Sequence, residues 1–473
     1  MTRRTTLAAI AAAAVAGVLL RLHFLRVPLN TDEGGFAAIA RLWRQGYEIY
    51  GDVAWVDRPQ GLLVLFRLAG LTGNSEALRV MATFAALLTL VAVAAAAWAV
   101  AGRGPAVAAA GLYALLSPAP HLEGFAANGE LLSGSLAAAG VACALWWTVR
   151  RNLWLLAAAA LLAGSAPLVK QSAIDGIVVV AAAALIVADR RWRNVAVAVV
   201  VGAIPGLAAV MHAATATAGL GDWWYAIVGY RSSTESAVSG DLGARAHLLL
   251  DAVPPALQDL APLLALAALG LRRGRPALLA AWLAAGVIGF LGGGLYHPHY
   301  WIQLVPVLSV LAGIGFVRLL HLPRAVRLAF ALTLVPVAAY SAEVYSTTSP
   351  TRISALTSDD SRLATAPEVG RLLAVETRPG EPVYVIWANA AVYWYADRPP
   401  AFRYLWYLNV QRIPGAAEDA TAVLTGPSPP RAVAVYQDPD GIDATGAVTR
   451  ALAERYTLVR RVGDVPVYRL RPT

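Results

Sequence analysis

Two adjacent carboxylates, Asp32 and Glu33, stand where a short amphipathic segment begins. Thr31 or Asp32 is a suitable helix N-cap, and apolar residues recur at helical spacing as far as Gly46, which favours termination. The positive end of a helix favours the ionised form of carboxylates placed there, and an ionised carboxylate held against a hydroxyl is what general-base catalysis requires. Local spacing allows a simpler alternative equally well: a capped helix at a membrane surface, with its apolar side towards lipid.

A second polar stretch, Asp57-Arg58-Pro59, follows closely. Proline disfavours the helical conformation of the residue before it, so Arg58 is expected to be extended. A guanidinium in that position can bind a phosphate through two N–H groups. The alternative is a surface ion pair with Asp57, which contributes at most about 1 kcal/mol.

Lys170 is the only lysine, and the other 37 of the 38 basic residues are arginines. It ends an apolar run, where an unpaired cation is costly. The side chain either extends to the membrane interface or has a functional role. Because arginine would reach the interface equally well, the retained lysine favours a functional role.

His297 and His299 lie two residues apart and are candidates for a divalent metal site that Asp32, Asp57 or Glu130 would complete. Two histidines alone are a weak indication of a metal, so hydrogen bonding to a phosphate or a sugar is the better expectation. No cofactor is predicted with certainty, and a divalent metal stays open.

A tryptophan-rich loop precedes Arg231 in the sequence. Its aromatic side chains are suited to form stacking surfaces for a sugar or a gate for a lipid chain. Ordinary interfacial anchoring explains the same composition, because Trp and Tyr are enriched where a membrane meets water.

The elements that must position these groups are mostly apolar. Of the 473 residues, 58% are hydrophobic and 14% are charged, against about 25% charged in soluble domains. Apolar runs close to the roughly 20 residues that span a bilayer predict about eleven transmembrane helices. The runs lie at about 7–27, 77–101, 105–118, 131–148, 153–169, 171–188, 195–213, 248–270, 276–296, 300–318 and 328–346. Almost no hairpin separates 153–169 from 171–188, so broken or re-entrant helices are an alternative there.

Arginines lie in small clusters in every second connection between the runs, including 190–193 and 272–275. The positive-inside rule then predicts a cytoplasmic N-terminus and a protein of the cytoplasmic membrane. The same scatter excludes a nucleic-acid partner as the reason for the net charge of +9. Segments 28–76, 119–130 and 214–247, and everything after 346, are predicted to face outwards.

After residue 346 the composition becomes that of a water-soluble domain. Strands that alternate with helices predict a small α/β domain at 347–473, behind a transmembrane domain at 1–346. The predicted elements are a helix at 364–377, a strand at 382–387, a helix at 388–396, a strand at 432–436 and a closing hairpin at 458–470 around Gly463-Asp464.

The polar stretches, taken in chain order, resemble a known family. They are Asp32-Glu33-Gly34, Gly46-Tyr47, Tyr50, Asp52, Asp57-Arg58-Pro59-Gln60-Gly61, Asn128-Gly129-Glu130, Leu168-Val169-Lys170-Gln171 and His297-Pro298-His299-Tyr300. The combination is similar to the membrane C superfamily (GT-C) of glycosyltransferases, in particular to dolichyl-phosphate-mannose-protein mannosyltransferase-like and aminoarabinose transferase-like enzymes. The likeness covers most of residues 1–320. Many members have lysine and a second proline where this chain has Arg58 and Gln60.

The resemblance implies transfer of a sugar, with inversion, from a polyprenyl-phosphate donor in the membrane lipid to an acceptor hydroxyl outside the cytoplasmic membrane. The acceptor would be an envelope glycan, lipid or protein, and the transferred sugar a hexose or a pentose. The implied roles are Asp32 as the base, Arg58, Lys170 and His299 as phosphate ligands, Glu33, Asn128 and Glu130 as residues that position the acceptor or the loop, and Asp57, Gln171, Tyr300 and Arg231 as supporting residues.

The alternative function is a transporter or flippase of a lipid-linked or anionic solute. Such a protein is expected to carry charges at mid-membrane and matching interrupted helices in two halves. The charges here gather at the outward ends of the apolar runs and in segment 28–76, which favours the enzyme.

Overall fold

The computed structural model describes residues 1–187, 189–233, 242–271, 276–292, 294–357, 360–387 and 389–472. Helices dominate this chain as far as residue 346, and a small sheet with helices of its own follows. The basic loop predicted at 272–275 and residue 388, the predicted start of helix 388–396, lie outside the described residues.

Each of the eleven apolar runs coincides with a helix. Alanine and leucine are frequent in these runs, and both have high helix propensity. The helices up to residue 346 are α1 (Arg3–Leu22), α2 (Thr31–Arg44), α3 (Gln60–Ala69), α4 (Ser75–Ala101), α5 (Arg103–Leu116), α6 (Gly129–Arg150), α7 (Leu153–Ser165), α8 (Asp175–Ile186), α9 (Arg191–Ala216), α10 (Leu220–Trp224), α11 (Leu242–Gly270), α12 (Pro276–Gly292), α13 (Val305–Leu319) and α14 (Arg324–Ser346).

Five of the described helices are long and apolar enough to cross a membrane: α1, α4, α6, α9 and α11. Shorter apolar helices, of 10–17 residues, accompany them. This helical body agrees with a membrane protein, while the count of eleven crossings stays a prediction.

Glycines let the helices of the body approach closely. A Cβ atom on Gly315 of α13 would collide with the carbonyl of Leu266 on α11, and one on Gly270 would collide with the carbonyl of Leu311. Small residues at such contacts stabilise helix packing where lipid provides no hydrophobic drive between helices.

Lys170 lies between two short helices. A 3₁₀ turn at Ala166–Leu168 follows α7, and α8 begins only at Asp175. With 13 and 12 residues, α7 and α8 are both shorter than the roughly 20 residues of a full crossing, which favours the broken-helix alternative for this stretch.

The C-terminal part forms a four-stranded mixed sheet with the order β1-β2-β4-β3. Strand β1 pairs with β2 in parallel, and the other pairs are antiparallel. The elements are β1 (Val383–Ile386), β2 (Ala432–Val435), β3 (Tyr456–Val462), β4 (Val465–Leu470), α15 (Pro350–Leu356), α16 (Ala366–Glu376), α17 (Ala391–Ala396), α18 (Tyr407–Arg412), α19 (Ala416–Thr425) and α20 (Ala447–Arg455). The predicted closing hairpin is confirmed, because Val462 pairs with Val465 across Gly463-Asp464.

Helix α2 differs from its prediction in two respects. Its N-cap is Asn30, whose side chain accepts from the Glu33 N–H while Glu33 reaches back to the Asn30 N–H, so the cap is neither Thr31 nor Asp32. Its apolar face does not meet lipid either. Residues 34–40 are buried, and α2 packs against α17 of the C-terminal domain, a partner that periodicity alone does not reveal.

Gly34 and Gly35 make this docking close. A Cβ atom on Gly34 would collide with Ala391, and one on Gly35 would lie 2.5 Å from the Trp406 ring and 2.8 Å from the Ala390 methyl group. The two glycines therefore allow the C-terminal domain to sit directly on the start of α2.

Glu33 is fully buried and anchors the start of α2 to α4. Its Oε1 accepts from Arg79 Nη1 and from the Ala127 N–H, each at 2.6 Å, and its Oε2 accepts from the Asn30 N–H at 3.3 Å. A buried ion pair satisfied in this way is costly to break from one side, because the remaining charge is left without compensation.

Replacement of Glu33 by glutamine is expected to lower the free energy of unfolding by about 3–5 kcal/mol, because it leaves the Arg79 guanidinium buried and unpaired. The measurement is the thermal unfolding midpoint of the purified protein in detergent. Glu48→Gln, at an exposed carboxylate of the same segment, is the matched control and is expected to leave the midpoint unchanged. Equal midpoints for the two variants would contradict the anchoring role.

Candidate functional site

A cavity of about 500 Å³ lies between the helical body and the C-terminal domain. Its walls come from the start of α2, the segment after residue 56, the connection 119–130, the turn at 295–300 and the residues around α18. Several of the predicted site residues line it: Asp32, Asp57, Arg58, Arg231, His297, His299 and Tyr300.

Asp32 stands in the cavity wall at the first turn of α2. Its Oδ1 accepts a hydrogen bond from Trp406 Nε1 at 2.9 Å. The donor comes from the C-terminal domain, and the bond holds one oxygen of the carboxylate. A positioned carboxylate beside an open cavity has the geometry that a general base needs.

Asp57 fixes two guanidinium groups side by side. Its Oδ2 lies 2.6 Å from Arg58 Nη1 and 2.5 Å from Arg231 Nη2. Burial lowers the pKa of Arg58, but Asp57 and Asp32 outweigh it and raise the pKa, so Arg58 stays cationic. Paired guanidiniums at a cavity wall are suited to an anion with several oxygen atoms, such as a phosphate.

His299 adds a further positive charge. Its ring nitrogens lie 3.5 Å from Glu123 Oε2 and 3.7 Å from Glu130 Oε1. Burial lowers the pKa of His299, but Glu130 and Glu123 outweigh it and raise the pKa to about 9. At neutral pH the imidazole is therefore protonated, and it loses its charge only as the pH rises through about 9.

His297 stacks on His299, with ring centroids 5.6 Å apart and an angle of 10° between the rings. Burial and the neighbouring His299 lower the pKa of His297, so this ring is neutral at neutral pH. Among the described residues there is no group of three or more His, Cys, Asp or Glu side chains able to hold a metal ion. The histidine pair therefore has no set of metal ligands around it in that part of the chain.

Lys170 is not among the residues that line the cavity. Its Nζ donates to Glu130 Oε1 and lies 4.0 Å from the centroid of the Tyr300 ring. Tyr300 and His299 both line the cavity. Glu130 is buried and the Lys170 side chain is 13% exposed, so the two form a partly buried pair next to His299 and Tyr300.

Other predicted site residues form hydrogen bonds to main-chain groups near the cavity. Asn128 caps α6 by accepting from the Leu131 N–H, and Gln171 donates to the Asp57 carbonyl at 3.2 Å. Glu33 is buried in its pair with Arg79, outside the cavity lining. The sequence left two roles open for Glu33 and Asn128: contact with the acceptor or positioning of the loop. Both residues are buried outside the cavity lining, which favours positioning of the loop.

The site also contains residues that sequence reasoning missed. From the C-terminal domain, Trp406, Tyr407 and Asn409 line the cavity, and the pattern around them carries no polar motif. His121 lines it as well, and its Nδ1 lies 3.2 Å from the buried Asp259 Oδ1. The separation of His121 and Asp259 by 138 positions in the chain hides this pair from any local pattern.

No family model matches the sequence, and no curated protein sequence matches it. Solved structures do match. The chain is similar to ArnT from Cupriavidus metallidurans bound to undecaprenyl phosphate, with a TM-score of 0.65, 17% sequence identity and 100% of each chain covered. It is also similar to the Archaeoglobus fulgidus oligosaccharyltransferase in complex with Zn and sulfate, with a TM-score of 0.58, 14% identity and coverage of 90% of this chain and 67% of that chain.

A third similar structure is the oligosaccharyltransferase AglB from Archaeoglobus fulgidus in complex with an inhibitory peptide and a dolichol-phosphate. Here the TM-score is 0.51 and the identity 14%, over 98% of this chain and 74% of that chain. At these identities the likeness shows the fold alone. The chain therefore shares the fold of ArnT and of the two archaeal oligosaccharyltransferase structures.

Replacement of Glu130 by glutamine is expected to lower the pKa of His299 from about 9 towards its ordinary value of about 6.5. The physical reason is that the carboxylate that stabilises the imidazolium is removed, and that the unpaired Lys170 then opposes the charge. The pKa of His299 is measured by an NMR titration of the histidine ring signals, and the signal that is absent in His299→Gln identifies this residue. Asp222→Asn, outside the cavity lining, is the control, and a pKa that stays near 9 in Glu130→Gln would contradict the electrostatic coupling.

Proposed function

We propose that this protein transfers a sugar from a polyprenyl-phosphate donor to an acceptor hydroxyl on the outer face of the cytoplasmic membrane. The observation that carries the proposal is the cavity in which Asp32 lies beside the cationic group of Arg58, Arg231 and His299. The shared fold with ArnT bound to undecaprenyl phosphate and with AglB in complex with a dolichol-phosphate supports it.

In the proposed reaction, the acceptor oxygen attacks the anomeric carbon of the sugar. The bond between that carbon and the phosphate oxygen breaks, and the polyprenyl phosphate leaves with the bonding electron pair. Asp32 takes the proton of the acceptor hydroxyl. A single displacement of this kind inverts the configuration at the anomeric carbon.

Charge moves during this step. A donor phosphodiester carries one negative charge, and the phosphomonoester that leaves carries up to two, while Asp32 becomes neutral on protonation. The negative charge therefore shifts from Asp32 towards the phosphate. Arg58, Arg231 and protonated His299 are oriented before the reaction, so they stabilise the charge where it develops.

The donor phosphate is proposed to replace part of the interaction between Asp57 and its two arginines. Arg58 and Arg231 already converge on Asp57 Oδ2, so little rearrangement is needed to turn their N–H groups towards phosphate oxygens. Lys170 is proposed to act through Tyr300 and Glu130, which keep His299 in place, more than by direct contact with the phosphate.

The orientation of the protein follows from the same proposal. The cavity is proposed to face outwards, with the N-terminus in the cytoplasm and the C-terminal domain outside, as the arginine clusters predict. The proposal covers hexose and pentose donors, and envelope glycans, glycolipids and glycoproteins as acceptors.

Replacement of Asp32 by asparagine is expected to reduce sugar transfer by roughly 100-fold or more, because general-base assistance contributes about 10²–10⁴-fold. Membranes that contain the protein are supplied with radiolabelled undecaprenyl-phosphate-linked mannose, glucose, galactose or arabinose, and label in envelope material is followed. Asp52→Asn, at an exposed carboxylate of the same segment, is the matched control. Undiminished transfer by Asp32→Asn would remove Asp32 as the base.

Failure of all donors with the parent protein would count against the enzyme. The transporter alternative then predicts protein-dependent movement of a lipid-linked sugar across reconstituted vesicles. Vesicles with and without the protein distinguish the two functions directly.

Replacement of Arg58 by glutamine is expected to weaken binding of undecaprenyl phosphate roughly 10- to 100-fold, because a hydrogen bond to a charged group contributes about 1.5–3 kcal/mol. The probe is the sugar-free lipid phosphate, titrated onto the purified protein in detergent at fixed salt concentration. Arg412→Gln, an exposed arginine of α18, is the control for loss of net charge. Equal affinities of the two variants would remove Arg58 from the phosphate site.

A further inference from the structure

The C-terminal domain reaches the proposed base through the side chain of Trp406. Its indole N–H donates to Asp32 Oδ1 at 2.9 Å, and the residue lines the same cavity as Asp32. We propose that the C-terminal domain completes the catalytic site, with Trp406 as the positioning residue for Asp32. The inference rests on the proposed function, because it assigns a role in the transfer reaction.

The chemistry of the indole suits this role. Its N–H can donate a hydrogen bond but cannot accept one, so it pairs with an acceptor oxygen of the carboxylate. With Oδ1 held, Oδ2 is the oxygen left for the proton of the acceptor. A base whose orientation is fixed by a neighbouring group needs less rearrangement in the transition state.

The indole ring is itself held in place. A Cβ atom on Gly35 would lie 2.5 Å from Trp406 Cζ2, so the ring sits directly on the helix backbone, one turn of chain from the carboxylate it binds. The ring also contacts Phe36, with the ring centroids 5.5 Å apart. Tight packing restricts the rotamer of the donor, and the donor in turn restricts the rotamer of Asp32.

The docking of the whole domain supports the contact. Arg41 of α2 donates to the carbonyl oxygens of Trp394 and Tyr393 at 3.0 and 2.8 Å, and it pairs with Asp397 at 3.0 Å. Gly34 allows α17 to approach the first turn of α2. These contacts fix the distance between the domain and the helix, so the position of Trp406 relative to Asp32 follows from the docking.

A purely structural role for Trp406 makes a different prediction. If only the ring matters, any isosteric ring restores function, whereas the positioning role requires the N–H group. The sharpest test is therefore replacement of Trp406 by 3-benzothienylalanine, an isosteric side chain with sulfur in place of the N–H. The full-length protein is used in nanodiscs, with whichever of the four labelled undecaprenyl-phosphate sugars the parent transfers.

The expected result is a kcat that is roughly 10- to 100-fold lower, as loss of a hydrogen bond to a charged acceptor implies. KM for the donor is expected to change less than about two-fold, because the phosphate ligands lie on other elements. The thermal unfolding midpoint is expected to stay at the parent value. Replacement of Trp154, an exposed tryptophan of α7 outside the cavity lining, by 3-benzothienylalanine is the control and should keep the parent kcat.

Gly35→Ala tests the contact from the side of the helix, because its methyl group displaces the Trp406 ring while both partners of the hydrogen bond are kept. Its kcat is expected to fall to a similar extent, while Gly134→Ala, at a helix position with open space around it, keeps full activity.

A parent-like kcat in the benzothienylalanine protein would overturn the positioning role, and so would a parent-like kcat in Gly35→Ala. Absence of transfer by the parent is a different outcome. It removes the proposed function, and this inference with it.

Discussion

The docking of the C-terminal domain on the first turn of α2 is the constraint on which the site depends. Gly34 and Gly35 present no side chain to the C-terminal domain, so Ala391 and Trp406 lie against the helix backbone at these two positions. Because of this close approach, residues of the C-terminal domain form one wall of the cavity, while the charged groups that line it belong to the helical body. A bulkier residue in either position would separate Trp406 from Asp32, and the cavity would lose that side.

Charge in this region is matched locally. Asp57 is shared by Arg58 and Arg231, while Glu130 faces both Lys170 and His299. A buried charge is costly unless it is paired, and in the described part of the chain each of these cations lies next to a carboxylate. Within that part of the chain, Arg231 Nε and His299 Nδ1 are nevertheless buried without a hydrogen-bond partner. The carboxylates therefore hold the cationic groups in position, while part of the hydrogen-bonding capacity of those groups stays unused.

The cations of this region differ in their position relative to the cavity. Arg58, Arg231 and His299 line it, whereas Lys170 lies against the Tyr300 ring and is not among the lining residues. The rarity of lysine in the chain pointed to Lys170 as a functional residue, but rarity carries no information on whether a residue lines the cavity. That depends on how the surrounding elements pack.

The sequence by itself determined the helices at the eleven apolar runs, the strands of the C-terminal domain and the hairpin at Gly463-Asp464, because apolar periodicity and turn residues act locally. It also identified Asp32 and Glu33 as a pair, and the family resemblance implied different roles for them, but only the tertiary structure shows their different surroundings. Successive residues on a helix point about 100° apart, so the two carboxylates face different surroundings. Glu33 turns to Arg79, 46 positions away, and Asp32 turns to Trp406, 374 positions away. Contacts across such distances in the chain arise only when the domains pack, and no local pattern encodes them.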